Sequence, residues 1–131
     1  CMTDSNGVLM GASGGHSDTA AGAKLAVIVV PLIRGRLPMI RDKVQTVITP
    51  GESIDVIVTE RGVAINPKRT DLLEKLKDSN LPLYTIQELQ QMSYDLVGKP
   101  KDIEVSQEDK DIVAVVEYRD GSIIDLVRKP L

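Results

Sequence analysis

The chain has 131 residues, enough for one domain, and its 42% hydrophobic and 27% charged residues are typical of a globular protein. Sixteen Lys and Arg against nineteen Asp and Glu give a net charge of -3, which excludes a general attraction to nucleic acid. The apolar run at residues 25–33 contains a proline and is much shorter than the roughly 20 residues of a membrane-spanning helix, so a membrane partner is excluded as well.

The order of the first predicted elements is typical of an α/β protein. A glycine-rich loop at residues 11–18 precedes an alanine-rich segment, 19–24, that predicts a short helix, and residues 25–30 predict a buried strand. Trp and Phe are absent, so Ile, Val and Leu must fill the core, and this β-branched filling favours sheet. We expect a largely parallel sheet covered by helices.

The middle of the chain predicts further strands. Arg34-Gly35-Arg36 forms a basic loop between two prolines, and the alternation at residues 39–48 predicts a strand. Residues 54–59 give the clearest strand pattern, and residues 63–65 predict its partner after the turn at residues 60–62.

From Thr70 the apolar pattern takes a helical period, with Leu72, Leu73 and Leu76 on one face. After an extended pair at residues 83–84, Thr85 and Glu88 have the spacing of a capping box and predict a second helix that ends at Gly98. Its predicted apolar side is formed by Ile86, Leu89, Met92 and Leu96. Residues 99–110 predict a surface linker, and residues 112–118 and 122–127 predict a hairpin around a two-residue Asp120-Gly121 turn.

The single cysteine, Cys1, cannot form an internal disulfide, which fits a reducing, cytoplasmic location. No cluster of His and Cys offers the ligands of a zinc site, so we expect no metal. The first residues lack the layout of a signal peptide and lead at once into a candidate site. We therefore expect residues 1–131 to be a single domain, or part of one, from a longer chain.

The glycine-rich loop is the first candidate site. Glycines allow tight turns and close approach of a ligand to the backbone, and Ser17-Asp18 is a suitable helix N-cap. A helix N-terminus beside such a loop is suited to an anion. A plain surface turn has the same composition, so the residues alone leave both interpretations open.

Three stretches in this order, TDSNGVLMGASGGHSDTAAGAKL, PLIRGRLPMIRDKV and TPGESIDVIVTERGVAINP, resemble the C-terminal part of the citrate lyase alpha chain family. The resemblance continues to the final VVEYRDGSIIDLVRKP segment and covers nearly the whole chain. It implies a CoA-transferase fold, with a mainly parallel sheet, flanking helices and a C-terminal hairpin. It also implies citrate CoA-transferase activity, in which citrate replaces the acyl group on a thiol-bearing carrier.

The sequence is more distantly similar to the glutamate-dependent CoA-transferases, which carry a Ser-Glu-Asn-Gly motif. Here Asp4-Ser5-Asn6-Gly7 stands in that place, so the position of the nucleophilic glutamate falls on Ser5. A serine hydroxyl is a weak nucleophile without an adjacent base. The resemblance therefore implies a mechanism in which the carboxylate of citrate attacks the bound thioester and no enzyme-CoA intermediate forms.

On this resemblance the candidate catalytic residues are Ser5, Asn6 and His16. The candidate residues for binding substrate or CoA are Asp4, Gly7, Gly14, Gly15, Ser17, Asp18, Arg34 and Arg36. Four of them have a plainer alternative: His16 as an exposed side chain bonded to water, Asp18 as a helix cap, and the two arginines, like Arg61, as solvated surface. A Ser5-His16-Asp18 triad is disfavoured because triads join distant chain segments.

The resemblance implies that coenzyme A, or a CoA-like prosthetic group on an acyl carrier protein, takes part as a substrate. The implied partners are citrate, an acyl thioester and the other citrate lyase subunits, including that carrier protein, in a homo-oligomer. We expect this chain alone to be inactive, and another copy or segment to cover an exposed sheet edge or apolar face. Another small-acid CoA-transferase, or a noncatalytic fragment that completes a sheet or an interface, remains an alternative.

Overall fold

The computed structural model describes residues 14–131 and, by backbone alone, the strands Thr3–Ser5 (β1) and Val8–Met10 (β2). The described helices are His16–Gly22 (α1), Thr70–Leu76 (α2) and Ile86–Val97 (α3). The remaining strands are Val27–Val29 (β3), Ile33–Arg34 (β4), Leu37–Pro38 (β5), Val56–Val58 (β6), Val63–Ile65 (β7), Leu83–Tyr84 (β8), Ile112–Glu117 (β9) and Ile123–Arg128 (β10). Short 3₁₀ turns cover Gly51–Ser53 and Asp109–Asp111.

The chain divides into two compact units. The hairpin unit comprises residues 1–22, 43–53 and 101–131, and the sheet unit comprises residues 23–42 and 54–100.

The sheet unit contains a four-stranded sheet in the order β3-β6-β7-β8. Strands β3 and β6 are parallel, with Val27 opposite Val56, and β7 and β8 are also parallel, whereas β6 and β7 are antiparallel. Two of the three pairings are therefore parallel, which confirms the mainly parallel sheet. Each of the long apolar runs forms a shorter strand than predicted.

The core of the sheet unit lies between the sheet and α3. Leu89 of α3 and Leu32 are fully buried, and they cluster with Ala64 of β7 and Ile40. Ile86 and Met92 pack against this cluster, which confirms most of the predicted apolar side of α3. Leu96 is 56% exposed, contrary to the prediction, because the packed cluster ends one turn earlier, at Met92.

The predicted strand at residues 39–48 is wrong. The strands in this part of the chain are β4 and β5, which form a tight hairpin with Gly35 at a φ of 64°. Residues 39–49 have no helix or strand. The alternating pattern misleads because Ile40 is buried in the core of the sheet unit, whereas Ile48 is buried in that of the hairpin unit.

The hairpin unit contains two antiparallel pairs, β1 with β2 and β9 with β10. Its core contains Ile48, Val116 and Val127. The C-terminal hairpin is confirmed, but its turn has three residues, since the N–H of Tyr118 donates to the carbonyl of Ser122 at 2.7 Å. Gly121 takes a φ of 85°, as expected for the left-handed residue of a three-residue hairpin loop.

Each unit also exposes apolar side chains. Val113 and Ile123 of the C-terminal hairpin are 60% and 61% exposed, and Val29 on the edge strand β3 is 78% exposed. That another copy or segment covers such a surface stays a prediction.

Candidate functional site

The glycine-rich loop ends in a turn that leads directly into α1. Gly14 has a φ of 54°, a conformation that glycine adopts without strain, and a Cβ at Gly15 would meet no atom of the described residues within 4 Å. The carbonyl of Gly15 accepts the first helical hydrogen bond, from the N–H of Thr19 at 2.9 Å. Among the described residues, no atom fills the space beside Gly15.

The prediction that Ser17-Asp18 caps the helix is wrong. Helix α1 begins at His16, so both residues lie inside its first turn, and Gly15 occupies the cap position. Ser17 is buried. Asp18 is exposed, and its carboxylate lies 3.8 Å from the guanidinium of Arg119.

His16 lies at the start of α1 with its ring exposed. Its Nδ1 is hydrogen bonded at 2.7 Å to Oγ1 of Thr49, which is 33 residues away in the chain. The part of the chain that the structure describes offers no hydrogen-bond partner to Nε2 of this ring. The described residues therefore bind one ring nitrogen of His16 and leave the other without a hydrogen-bond partner among them.

Sequence reasoning missed Thr49, which lies just before Pro50-Gly51. A lone threonine before a turn carries no signal for a contact with a histidine. The Nδ1 position, where a triad carboxylate would bind, is occupied by this hydroxyl.

The other candidate residues near the N-terminus lie in β1 and at the start of α1, except for two that lie outside the described residues. Asp4 and Ser5 lie in β1, with Asp4 opposite Leu9 and Ser5 opposite Val8. Asn6 and Gly7 lie outside the described residues. Gly14, Gly15, His16, Ser17 and Asp18 lie together at the start of α1. The roles assigned to all of these residues stay predictions.

Arg34 and Arg36 belong to the sheet unit, at the β4–β5 hairpin, and both are exposed. The N–H of Leu32, just before this hairpin, donates at 2.8 Å to the carboxylate of Glu60, which follows β6. That bond, together with the N–H of Glu60 itself, lowers the pKa of this carboxyl. Glu60 thus joins the loops at the carboxyl ends of two adjacent parallel strands, where α/β proteins commonly bind ligands.

A second polar cluster is fully paired and therefore structural. Asp55 is buried, accepts from the N–H of Ala26 at 2.7 Å and pairs with Arg69 at 2.6 Å. Arg69 also binds both carboxylate oxygens of Asp71 at 2.8 Å. The N–H of Ala26 first, and then Arg69, lower the pKa of Asp55.

A shallow cavity of about 320 Å³ lies in the sheet unit beside the start of α3. Its lining residues are Ile40, Arg41, Asp42, Ile86, Gln87 and Gln90, none of which is a predicted site residue. Within residues 14–131, His, Cys, Asp and Glu side chains form no group that could hold a metal ion. No helix in the described portion has the length and apolar character needed to span a bilayer.

Fold and site together define an α/β protein whose candidate site is an exposed, oriented histidine beside an open glycine turn. The sequence profile of the family described as "Citrate lyase, alpha subunit (CitF)" matches residues 1–130. The chain belongs to the citrate lyase alpha subunit family.

Individual relatives agree with this membership. The chain is 57% identical over 128 residues to a citrate lyase alpha chain of Klebsiella pneumoniae, covering 98% of this chain and 25% of that one. It is 54% identical over 126 residues to the citrate lyase alpha chain of Haemophilus influenzae, covering 96% and 25%. The chain thus spans about a quarter of the length of these curated relatives.

A solved structure extends the likeness to the fold. A protein of Streptococcus mutans, assigned as the alpha subunit of citrate lyase and solved in complex with citrate, is similar with a TM-score of 0.91 and 55% identity. The match covers 99% of this chain and 25% of that one.

Proposed function

We propose that the protein carrying this chain is a citrate CoA-transferase, the activity of a citrate lyase alpha subunit. The observation that carries the proposal is family membership over residues 1–130, combined with an exposed His16 that is oriented beside the open Gly14–Gly15 turn. The similarity to a structure in complex with citrate supports citrate as the acid. The mainly parallel sheet and the C-terminal hairpin support the CoA-transferase fold.

The proposed reaction needs positioning and charge stabilisation more than a nucleophile. A carboxylate oxygen of citrate attacks the carbonyl carbon of the acetyl thioester, the C–S bond breaks, and a mixed anhydride and a thiolate form. The thiolate then attacks the citryl carbonyl of the anhydride and releases acetate, so that one citryl thioester replaces one acetyl thioester. No proton needs to be gained or lost overall.

Negative charge develops on the thioester carbonyl oxygen during the attack. Donors aimed at that oxygen are each worth a few kcal/mol in such a transition state. We assign this role to Asn6, to the backbone N–H groups of the glycine turn and to His16, whose Nε2 has no hydrogen-bond partner among the described residues. Ser5 contributes only a positioning contact.

The thiol carrier is either coenzyme A or a CoA-like prosthetic group on an acyl carrier protein. In either form it is a substrate of the reaction. Arg34 and Arg36 are exposed guanidinium groups suited to its phosphates or to the carboxylates of citrate. The other citrate lyase subunits, a homo-oligomeric state and a cytoplasmic location belong to the same proposal.

The test is transfer by the intact protein that contains these 131 residues. It is incubated with acetyl-CoA and citrate, and citryl-CoA and acetate are measured by chromatography and mass spectrometry. We expect both products in equal amounts with citrate, and neither with succinate in its place. Preference for another acid would indicate the alternative CoA-transferase, and no transfer to any acid would contradict the proposal.

The arginines allow a sharper test of binding. We expect Arg34→Gln and Arg36→Gln to raise KM for citrate or acetyl-CoA, since each removes an exposed cation, and to leave kcat nearly unchanged. Lys75→Gln, which removes an exposed cation from α2, is the matched control and should change neither constant. Unchanged KM values in both arginine variants would assign these side chains to the solvated surface.

A further inference from the structure

We propose that Thr49 is a positioning residue that holds His16 as its Nε2–H tautomer and aims that N–H at the substrate. The inference rests on the proposed function, because only there does His16 act as a donor. The observation behind it is the 2.7 Å hydrogen bond between Oγ1 of Thr49 and Nδ1 of His16.

Thr49 is held firmly from both sides. The preceding residue, Ile48, is buried in the core of the hairpin unit with Val116 and Val127. The following residue, Pro50, restricts Thr49 to extended backbone, and its carbonyl accepts from the N–H of Ser53 at 2.9 Å. The hydroxyl is therefore presented from a fixed backbone.

Hydrogen bonds also define the backbone at His16. It is the first residue of α1, directly after the turn at Gly14 and Gly15. Thr19 donates to the carbonyl of Gly15 twice, through its N–H and through its hydroxyl, each at 2.9 Å. With both backbones fixed, the bond between the two side chains determines the orientation of the ring.

The direction of this bond determines the tautomer. A threonine hydroxyl can donate or accept, and a neutral imidazole carries its proton on one nitrogen only. Among the described residues, Oγ1 of Thr49 has its one hydrogen bond with this ring, so donation to Nδ1 is what satisfies its proton within the protein. We therefore assign the imidazole proton to Nε2.

The consequence is a fixed donor that faces outward. Nε2 lies on the far side of the ring from Thr49, and the ring is exposed, so its N–H can reach a bound thioester carbonyl or a citrate carboxylate. Without the hydroxyl, the ring would rotate and sample both tautomers. Misplacement of a catalytic group by about 1 Å can cost up to about 100-fold in rate, and we expect a loss of about 10-fold here.

The direct test reads the tautomer by long-range ¹H–¹⁵N NMR on the intact protein that contains these residues, at a pH where the imidazole is neutral. The signals that disappear in His16→Gln assign the ring of His16. We expect the Nε2–H pattern in the wild type and in Thr49→Ser, and a mixture of both tautomers in Thr49→Val. Thr46→Val removes a hydroxyl from the same segment that has no hydrogen bond with the ring, and should keep the wild-type pattern.

An Nδ1–H pattern in the wild type, or an unchanged pattern in Thr49→Val, would overturn the inference. If Thr49→Val does not fold, the tautomer seen in the wild-type spectrum is by itself the test of the inference. In the intact protein we expect Thr49→Val to lower kcat for transfer about 10-fold with unchanged KM for acetyl-CoA, and Thr49→Ser to restore it. An intact wild-type protein without transfer activity would contradict the proposed function. The spectra would still show whether Thr49 sets the tautomer of His16.

Discussion

Gly62 shows how much one residue can constrain the sheet unit. It is buried in the turn after β6, where an added Cβ would lie 2.6 Å from Cε2 of Tyr84 and 2.8 Å from the carbonyl oxygen of Pro82. That carbonyl accepts from the N–H of Val63 and so aligns β7 with β8. The turn can close only without a side chain at this position.

We therefore expect Gly62→Ala to reduce the free energy of unfolding by about 1–3 kcal/mol, because the backbone must shift to relieve the overlap. Denaturant titration measures the change. Gly51→Ala is the matched control, since a Cβ there meets no atom of the described residues within 4 Å, and it should change the stability by less than about 0.5 kcal/mol. Equal stabilities for the two variants would contradict this account of the turn.

Ser5 permits a residue-scale test of the proposed mechanism. If citrate itself attacks the thioester, Ser5→Ala in the intact protein should keep a substantial fraction of the transfer activity. Borohydride or hydroxylamine should trap no covalent intermediate. A trapped thioester on Asp4, or a folded Ser5→Ala protein without any transfer, would contradict the mechanism.

Two further variants provide a comparison for the loss of activity in Ser5→Ala. Asn6→Ala removes a donor near the developing oxyanion, and Gly15→Val fills the open space beside the turn. Each should cost about 100-fold or more in kcat. The expected result is an order of effects, with Ser5→Ala the mildest.

At the scale of elements, α3 has a complete capping box. The hydroxyl of Thr85 accepts from the N–H of Glu88, and the carboxylate of Glu88 accepts from the N–H of Thr85 at 2.7 Å. Helix α2 begins at Thr70 after Arg69, which makes no side-chain cap bond. The two helices therefore respond differently to the loss of a threonine hydroxyl at their starts.

We expect Thr85→Ala to destabilise the chain by about 1 kcal/mol, as measured by thermal unfolding. Thr70→Ala, the control on α2, should have little effect. The N–H of Thr85, and then its hydroxyl, lower the pKa of the Glu88 carboxyl. The capping box therefore stabilises the fold at pH values above the ordinary pKa of a glutamate, and this stabilisation is lost as pH falls through the lowered pKa. Similar losses of stability in Thr85→Ala and Thr70→Ala would show that the capping box does not stabilise the chain.

At the scale of the sheet unit, one ion cluster joins distant parts of the chain. Asp55 binds the N–H of Ala26 before β3 and pairs with Arg69 before α2. Arg69 in turn lowers the pKa of Asp71 from 3.8 to about 2. Because both carboxyl pKa values are lowered, the stabilisation is present above the ordinary pKa of 3.8; that of Asp71 is lost as pH falls through about 2, and that of Asp55 as pH falls through its own lowered pKa.

We expect Asp55→Asn to lower stability at pH 7 by about 1–3 kcal/mol, because it breaks a buried pair that carries charge. The variant should also show a flatter dependence of stability on pH between about 4 and 2. Asp78→Asn, which changes an exposed carboxylate, should leave both properties close to those of the wild type. Chemical denaturation across this pH range is the measurement, and a wild-type slope in Asp55→Asn would contradict the role of the cluster.

The features that could be predicted from the sequence are those with local causes. The capping box and Gly98 set the ends of α3, the glycine after Asp120 marked the C-terminal turn, and consecutive apolar runs marked β6 and β7. Each depends on hydrogen bonds or periodicity within a few residues. Order and spacing of several motifs also identified the family, which one glycine pair would not have done.

Which distant residues meet depends on the packing of the whole chain, and local patterns do not predict it. Thr49 reaches His16 across 33 residues, and Glu60 reaches Leu32 across 28. The same cause misplaced the strand at residues 39–48, since its two buried isoleucines serve different cores. Local patterns record that a side chain is buried or polar, whereas its partner depends on how the whole chain packs.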